Sequence, residues 1–154
     1  MFQRKTHAPK RILFVCSGNA CRSQIAEAWA RYLGNTSIRV ASAGIDVHGL
    51  DTQAVAVMAE AGIDLSQHTS KSLASFPGLP FDLIVTLSAR ATEHVHALPG
   101  HPPVLALPCA SPKSRQTEDP RSAYRQIRDE LRLTIEHLLQ TWQASGLPQA
   151  VRTA

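Results

Sequence analysis

One stretch of the chain leaves little freedom in how it can fold. Ile12, Leu13, Phe14 and Val15 form an apolar run bounded by Arg11 and a Ser17-Gly18-Asn19 turn cluster, the pattern of a strand buried on both faces. Ile25, Ala26, Ala28, Trp29, Tyr32 and Leu33 then recur at helical spacing, and Gly34-Asn35 supplies the stop. A buried strand that feeds a helix through a short polar loop predicts the start of an α/β sheet.

The alternation continues. Ile38, Val40 and Ala41 predict a second strand ending at Ser42-Ala43-Gly44, and Asp51 to Ala61 a second helix with Gly62 at its C-terminal cap. Phe81 to Leu87 reads as a third strand, Ala89 to Leu98 as a helix, and Val104 to Leu107 as a short strand between prolines. From Asp119-Pro120 onward, Tyr124, Ile127, Leu131, Ile135, Leu138 and Leu139 mark one face of a long closing helix. These βαβ units predict a three-layer α/β sandwich around a four-stranded parallel sheet, one domain over residues 10–145 with flexible tails at 1–9 and 146–154.

Composition narrows the function. At 44% hydrophobic and 18% charged residues the chain is that of a folded globular protein. No apolar stretch approaches the roughly 18 residues that span a bilayer, and no export signal is evident, so a cytoplasmic protein without a membrane partner is expected. The net charge of +4 favours anionic ligands. Scattered basic residues and only 5% aromatics do not make a nucleic-acid surface. The odd number of cysteines, Cys16, Cys21 and Cys109, does not suit a secreted disulfide framework and raises the question of reactivity.

In a parallel sheet of this kind ligands bind at the carboxyl ends of strands, which singles out the loop after the first strand. The backbone N–H groups of Ser17, Gly18, Asn19, Ala20, Cys21, Arg22 and Ser23 can converge above the helix N-terminus as an anion nest. Gly18 and Asn19 are residue types that tolerate the positive φ such a curl requires. Arg22 adds a planar cationic fork, and the same positive surroundings would stabilise a thiolate at Cys16. A nucleotide-binding P-loop is excluded because G-x-x-x-x-G-K-[ST] is absent. Cys16 is expected to be a nucleophile pointed at an oxyanion.

The Cys16-to-Ser23 segment, a C-x5-R-S pattern, resembles low-molecular-weight protein tyrosine phosphatases and the arsenate reductases that share their fold. The likeness continues through Ser42-Ala43-Gly44-Ile45, Gly62-Ile63-Asp64-Leu65-Ser66, Thr69-Ser70-Lys71, Asp82 to Leu87, Asp119-Pro120 and Arg128-Asp129-Glu130. The run Arg22-Ser23-Gln24-Ile25-Ala26-Glu27-Ala28-Trp29 looks more like the reductase branch. The resemblance implies that Cys16 attacks phosphorus or arsenic, Arg22 binds the oxyanion and its transition state, and Asp119 protonates the leaving oxygen, with Glu118 as the fallback acid. It further implies that Ser23 hydrogen-bonds the thiolate, that Asn19 braces the loop in a network with Ser42, and that no cofactor is required. An optional potassium ion on Asn19, Glu27, Ser42 and Asp64 is carried over on the same ground.

Two departures bear on the reaction. Phosphatases of this kind place aromatic residues after Asp-Pro and near the second-helix loop, whereas Arg121, Ser122, Ala123 and His48, Gly49, Leu50 stand here, so neither wall is expected to be aromatic. Thioredoxin-coupled reductases carry two relay cysteines after the third strand, but Ser88 stands at the first position and no cysteine occurs before Cys109. The expectation is an arsenate reductase acting on arsenate, with Cys21, Cys109 or an external thiol as the resolving thiol and a thioredoxin or glutathione/glutaredoxin-type reductant as partner. The alternatives are a phosphatase that hydrolyses phosphomonoesters through a phosphocysteine, and a non-enzymatic oxyanion sensor.

Overall fold

The structure is a computed structural model and describes residues 10–145; the tails expected at 1–9 and 146–154 lie outside the described residues. Four strands, β1 (Lys10–Cys16), β2 (Ile38–Gly44), β3 (Leu83–Thr86) and β4 (Val104–Ala106), form one sheet in the order β2-β1-β3-β4. Every pairing is parallel. The helices are α1 (Arg22–Gly34), α2 (Thr52–Glu60), α3 (Ala89–His96) and α4 (Pro120–Ser145). All of the predicted strands and helices are present, and the expected α/β architecture with its four-stranded parallel sheet is the one observed.

Alternation along β1 divides the core. Ile12, Phe14 and Cys16 join the cluster beneath α1, α2 and α4, while Leu13 and Val15 pack on the other face with Ala43, Ile84, Ala91 and Val95. On α4, Ala123, Ile127, Leu131, Ile135, Leu138, Leu139 and Trp142 are buried at helical spacing. Each leucine or isoleucine of this set contributes about 1.5–3 kcal/mol when fully buried. The indole N–H of Trp29 on α1 donates to the carbonyl of Arg128 at 2.9 Å, and Arg132 lies over the Trp29 ring, 5.0 Å from its centroid. Helix α1, which starts at the candidate loop, is thereby clamped between the sheet and α4.

The third strand is shorter than the predicted Phe81 to Leu87. The Asp82 N–H still donates to the Arg11 carbonyl at 2.8 Å, but the Arg11 N–H is taken at 2.7 Å by the Asp82 carboxylate in place of a backbone carbonyl, and Phe81 packs edge-on against Phe76. Gly62 does follow α2 with φ +81°, the left-handed cap its residue type favours. The strand order reverses around β1, since the chain passes first to β2 on one side and then to β3 on the other. The carboxyl end of β1 is therefore the switch point where a crevice opens. Among the described residues no helix is long and apolar enough to cross a membrane.

Candidate active site

The loop between β1 and α1 is laced to the segment that follows β2. The carbonyls of Cys16, Ser17, Gly18 and Ala20 accept from the N–H groups of Ile45 (3.2 Å), Asp46 (2.9 Å), His48 (3.1 Å) and Asp51 (3.0 Å). In a trans peptide the N–H points opposite the C=O. Drawing the carbonyls outward therefore turns the loop's N–H groups toward the cavity over Cys16, which is how a short loop becomes an anion nest.

Asn19 adopts φ 50° and is fully buried. Its amide nitrogen donates to Ser23 Oγ at 2.8 Å, and its Oδ1 accepts from the Lys71 N–H at 2.8 Å and from Gln24 Nε2 at 3.0 Å. Because Ser23 Oγ accepts from Asn19, its own proton is free to point at Cys16 Sγ, 2.8 Å away. Asn19, Ser23 and Cys16 thus form a directed chain that ends on the sulfur. Gly18 does not need positive φ, contrary to expectation. A Cβ there would meet the ring of His48, an exposed side chain that can turn aside. Gly44, in contrast, is required for space, since a Cβ on it would lie 2.7 Å from the Asn19 nitrogen, and only tertiary contact exposes that role.

Arg22 reaches across the end of the sheet. Its Nη1 donates to the carbonyl of Cys109 at 2.8 Å and to that of Leu87 at 3.4 Å, and among the described residues no carboxylate pairs with it. Its charge therefore remains available to an anion. Cys16, Ser17, Gly18, Ala20, Cys21 and Arg22 form one side of a cavity of about 500 Å³. His48, Gly49, Leu50, Asp51, Thr52, Ser111, Pro112, Lys113 and Tyr124 form the rest.

The opposite side differs from expectation in two respects. Tyr124, one turn into α4, brings an aromatic ring into the wall, where none was expected. Its hydroxyl donates to Asp51 Oδ2 at 2.6 Å, while the Gln53 N–H occupies Oδ1 at 2.9 Å. Burial, with the hydrogen bond to Asp51 next in weight, pushes the Tyr124 hydroxyl well above its ordinary value. The inward face of α4 was legible, but that its first turn overhangs the cavity was not. Asp119, in contrast, is not among the cavity-lining residues. It stands immediately before α4 with its Oδ1 accepting from the Arg121 N–H at 3.0 Å, its side chain 60% exposed and 4.0 Å from Arg125.

Cys21 lines the cavity beside Cys16, whereas Cys109 lies behind Arg22. Burial pushes the Cys21 thiol far up, with Asp51 adding to it, and burial raises Cys109 while Arg115 works against the rise. Below the loop, Ser42 Oγ donates to Glu27 Oε1 at 2.9 Å, and Glu27 Oε2 meets Arg31 at 3.1 Å and His68 Nδ1 at 3.2 Å. Burial lowers the His68 imidazole against the pull of Glu27. Asp64 is exposed and engages its own turn through the Ser66 N–H at 2.8 Å. The oxygens of Asn19, Glu27, Ser42 and Asp64 do not fit a cation cage here, because Arg31 already meets the Glu27 charge and Asp64 is held by its own turn.

A cysteine on the cavity, beside a loop whose carbonyls point outward and an arginine that meets no carboxylate among the described residues, makes this a candidate site for cysteine-dependent oxyanion chemistry on a three-layer α/β scaffold. The chain belongs to the low molecular weight phosphotyrosine protein phosphatase family, whose pattern matches residues 11–147. It is 37% identical over 132 residues to an arsenate reductase of Staphylococcus xylosus, covering 83% of this chain and 95% of that one. An arsenate reductase of Staphylococcus aureus is 36% identical over 128 residues, with the same shares covered. Among solved structures, an arsenate reductase in a phosphate-binding state superposes with a TM-score of 0.72 at 28% identity, covering 86% of this chain and 98% of that one. The YwlE arginine phosphatase of Geobacillus stearothermophilus superposes with a TM-score of 0.75 at 26% identity, covering 88% and 94%.

Proposed function

We propose that this protein reduces arsenate to arsenite. The observation that carries the reading is the 37% identity to an arsenate reductase across nearly all of that relative's length. The geometry supplies the first step. The loop amides and Arg22 hold the arsenate oxygens, and Cys16, with its sulfur beside the Ser23 hydroxyl, attacks arsenic. Proton delivery to the departing oxygen falls to Asp119, which is exposed and, with one oxygen on the Arg121 N–H, keeps the other for a proton. Asp51 is nearer, but both of its carboxylate oxygens are already engaged. A second thiol then attacks the Cys16 sulfur, the S–As bond breaks with its electron pair left on arsenic, and arsenite departs. Thiol reductant from outside restores the protein, with a thioredoxin or a glutathione/glutaredoxin system as donor.

A phosphatase is the second reading, favoured by the Tyr124 ring in the cavity wall. There the same Cys16 forms a phosphocysteine that water hydrolyses. Steady-state turnover of arsenate and of para-nitrophenyl phosphate by one preparation separates the two, with each reductant system supplied in turn. Arsenate-dependent NADPH oxidation that is lost in Cys16→Ser is the expected result. Phosphate release without arsenate turnover would make the protein a phosphatase, and turnover of either substrate by Cys16→Ser would sink both readings.

A further inference from the structure

Arg22, the cation of the candidate site, is aimed by neutral carbonyls and, among the described residues, by no carboxylate. A carboxylate would orient the guanidinium but also cancel the charge that an anion needs, whereas a carbonyl orients it and leaves the charge in place. Of the two carbonyls, that of Leu87 at 3.4 Å lies beyond the usual N–H···O range, and that of Cys109 at 2.8 Å lies within it. The direction of Arg22 therefore depends on the peptide between Cys109 and Ala110. That peptide is pinned on both sides. Before it, the Cys109 N–H donates to the Leu87 carbonyl at 3.0 Å. After it, the Ala110 carbonyl accepts from both Nε and Nη2 of Arg115, at 3.1 and 2.9 Å.

Arg115 is in turn fixed by α4. Its Nη1 and Nη2 donate to the two oxygens of Glu130 at 2.7 and 2.8 Å, the two-bond pairing of a guanidinium fork with a carboxylate, and Nη1 lies 3.5 Å from Gln126 Oε1. Nη2 also approaches the Cys109 sulfur at 3.5 Å. The Arg115 side chain is only 10% exposed, so little room is left for it to swing away. We propose, on the reading in which Arg22 holds the oxyanion, that Arg115 is a positioning residue: braced by Glu130, it fixes the Cys109–Ala110 peptide whose carbonyl aims Arg22. A peptide is a rigid plate, and with its Ala110 side unpinned it turns about its two flanking bonds, carrying the Cys109 carbonyl with it. Arg22 then loses its short anchor and spreads over many directions, although its charge is unchanged. The ion pair that would neutralise Arg22 if it were direct is thus placed one residue farther out, where it supplies orientation alone.

The test titrates tungstate, a tetrahedral oxyanion that thiols do not reduce, into the full-length protein and follows the loop amides by NMR, which reads tight and weak binding alike. Arg115→Gln should bind tungstate about ten-fold more weakly than wild type, and Arg115→Lys, which keeps the charge but not the fork, should fall between them. Because Arg115 acts through Arg22, Arg115→Gln should cost less than about two-fold once Arg22→Ala has removed the guanidinium. A residue that only held the fold together would cost the same factor in both backgrounds. Glu130→Gln loosens the brace from the α4 side and should weaken tungstate by a smaller factor, and with Arg115→Lys it carries the test if Arg115→Gln does not fold. Wild-type affinity in the Arg115 variants, or an equal loss with and without Arg22, would overturn the positioning role and leave the oxyanion reading in place. A wild-type protein that binds no tungstate would remove both.

Discussion

The two sides of the cavity are built on different physical terms. On the loop side Asn19 and Ser23 are fully buried, and their side chains are bound to each other, with the Asn19 carbonyl oxygen held by Gln24 and Lys71. On the other side Lys113 and His48 are exposed, Ser111 and Pro112 belong to a turn, and Tyr124 and Asp51 hold each other by one short bond. Buried polar groups that must all be satisfied leave one arrangement, whereas exposed ones tolerate many. The first side accordingly holds Cys16 and Arg22 in one arrangement, and the second is where the proposed function puts the choice between oxyanions.

Substitutions that sharpen this contrast differ in size. Arg22→Lys should lower kcat/KM for arsenate by about 10²–10³-fold, because a point charge cannot replace the fork that binds oxygens while anchored on Cys109 and Leu87. Steady-state kinetics checks this, and a loss below ten-fold would mean that the amides alone hold the anion. On the opposite side, Asp119→Asn should cost about 10²-fold in kcat. Asp51→Asn, which only weakens the contact to Tyr124, should cost less than about ten-fold. The reverse ranking would transfer proton donation to Asp51.

Smaller effects probe the wall itself. Tyr124→Ala should raise KM for aryl phosphates by about two- to ten-fold through lost ring contact, and do less to arsenate. Equal changes for both substrates would show that the ring shapes the cavity and does not select. Farther away, Glu60 bridges Arg125 and Arg128 on α4, and these hydrogen bonds, that of Arg125 foremost, hold its carboxyl down to about 2. A depressed carboxyl stabilises the fold in full above its ordinary 4.5 and loses that contribution as pH falls through about 2. Glu60→Gln should therefore melt slightly lower than wild type at neutral pH, by a margin kept small by solvent screening. The two melting curves should converge as the pH is taken down to about 2.

Much of the site was legible in the sequence because it is local. Cys16 and Arg22 share one short loop, the apolar run before it demands a buried strand, and the apolar stripe after it demands a packed helix. Asn19, Ser23, Glu27 and Ser42 were legible through resemblance, and the structure joins them in two bonded pairs, Asn19 with Ser23 and Glu27 with Ser42. The far wall was not legible, because its residues come from three distant segments. Nothing near Tyr124 in the sequence says that its hydroxyl meets Asp51, 73 residues away. Asp119, by contrast, stands where the local Asp-Pro pair permits a cap of the last helix, and its carboxylate does accept from the Arg121 N–H.

By itself the sequence determined the βαβ order, the loop that carries Cys16 and Arg22, and the family, since periodicity and a single loop motif are properties of adjacent residues. Tertiary structure alone decided that Gly44 is required for space, that Gln24 and Lys71 hold the loop from outside, and that Cys109 lies behind Arg22 with Arg115 on its sulfur. These are close approaches between segments far apart in the chain. They are fixed only when the sheet order and the packing of α4 bring the segments together.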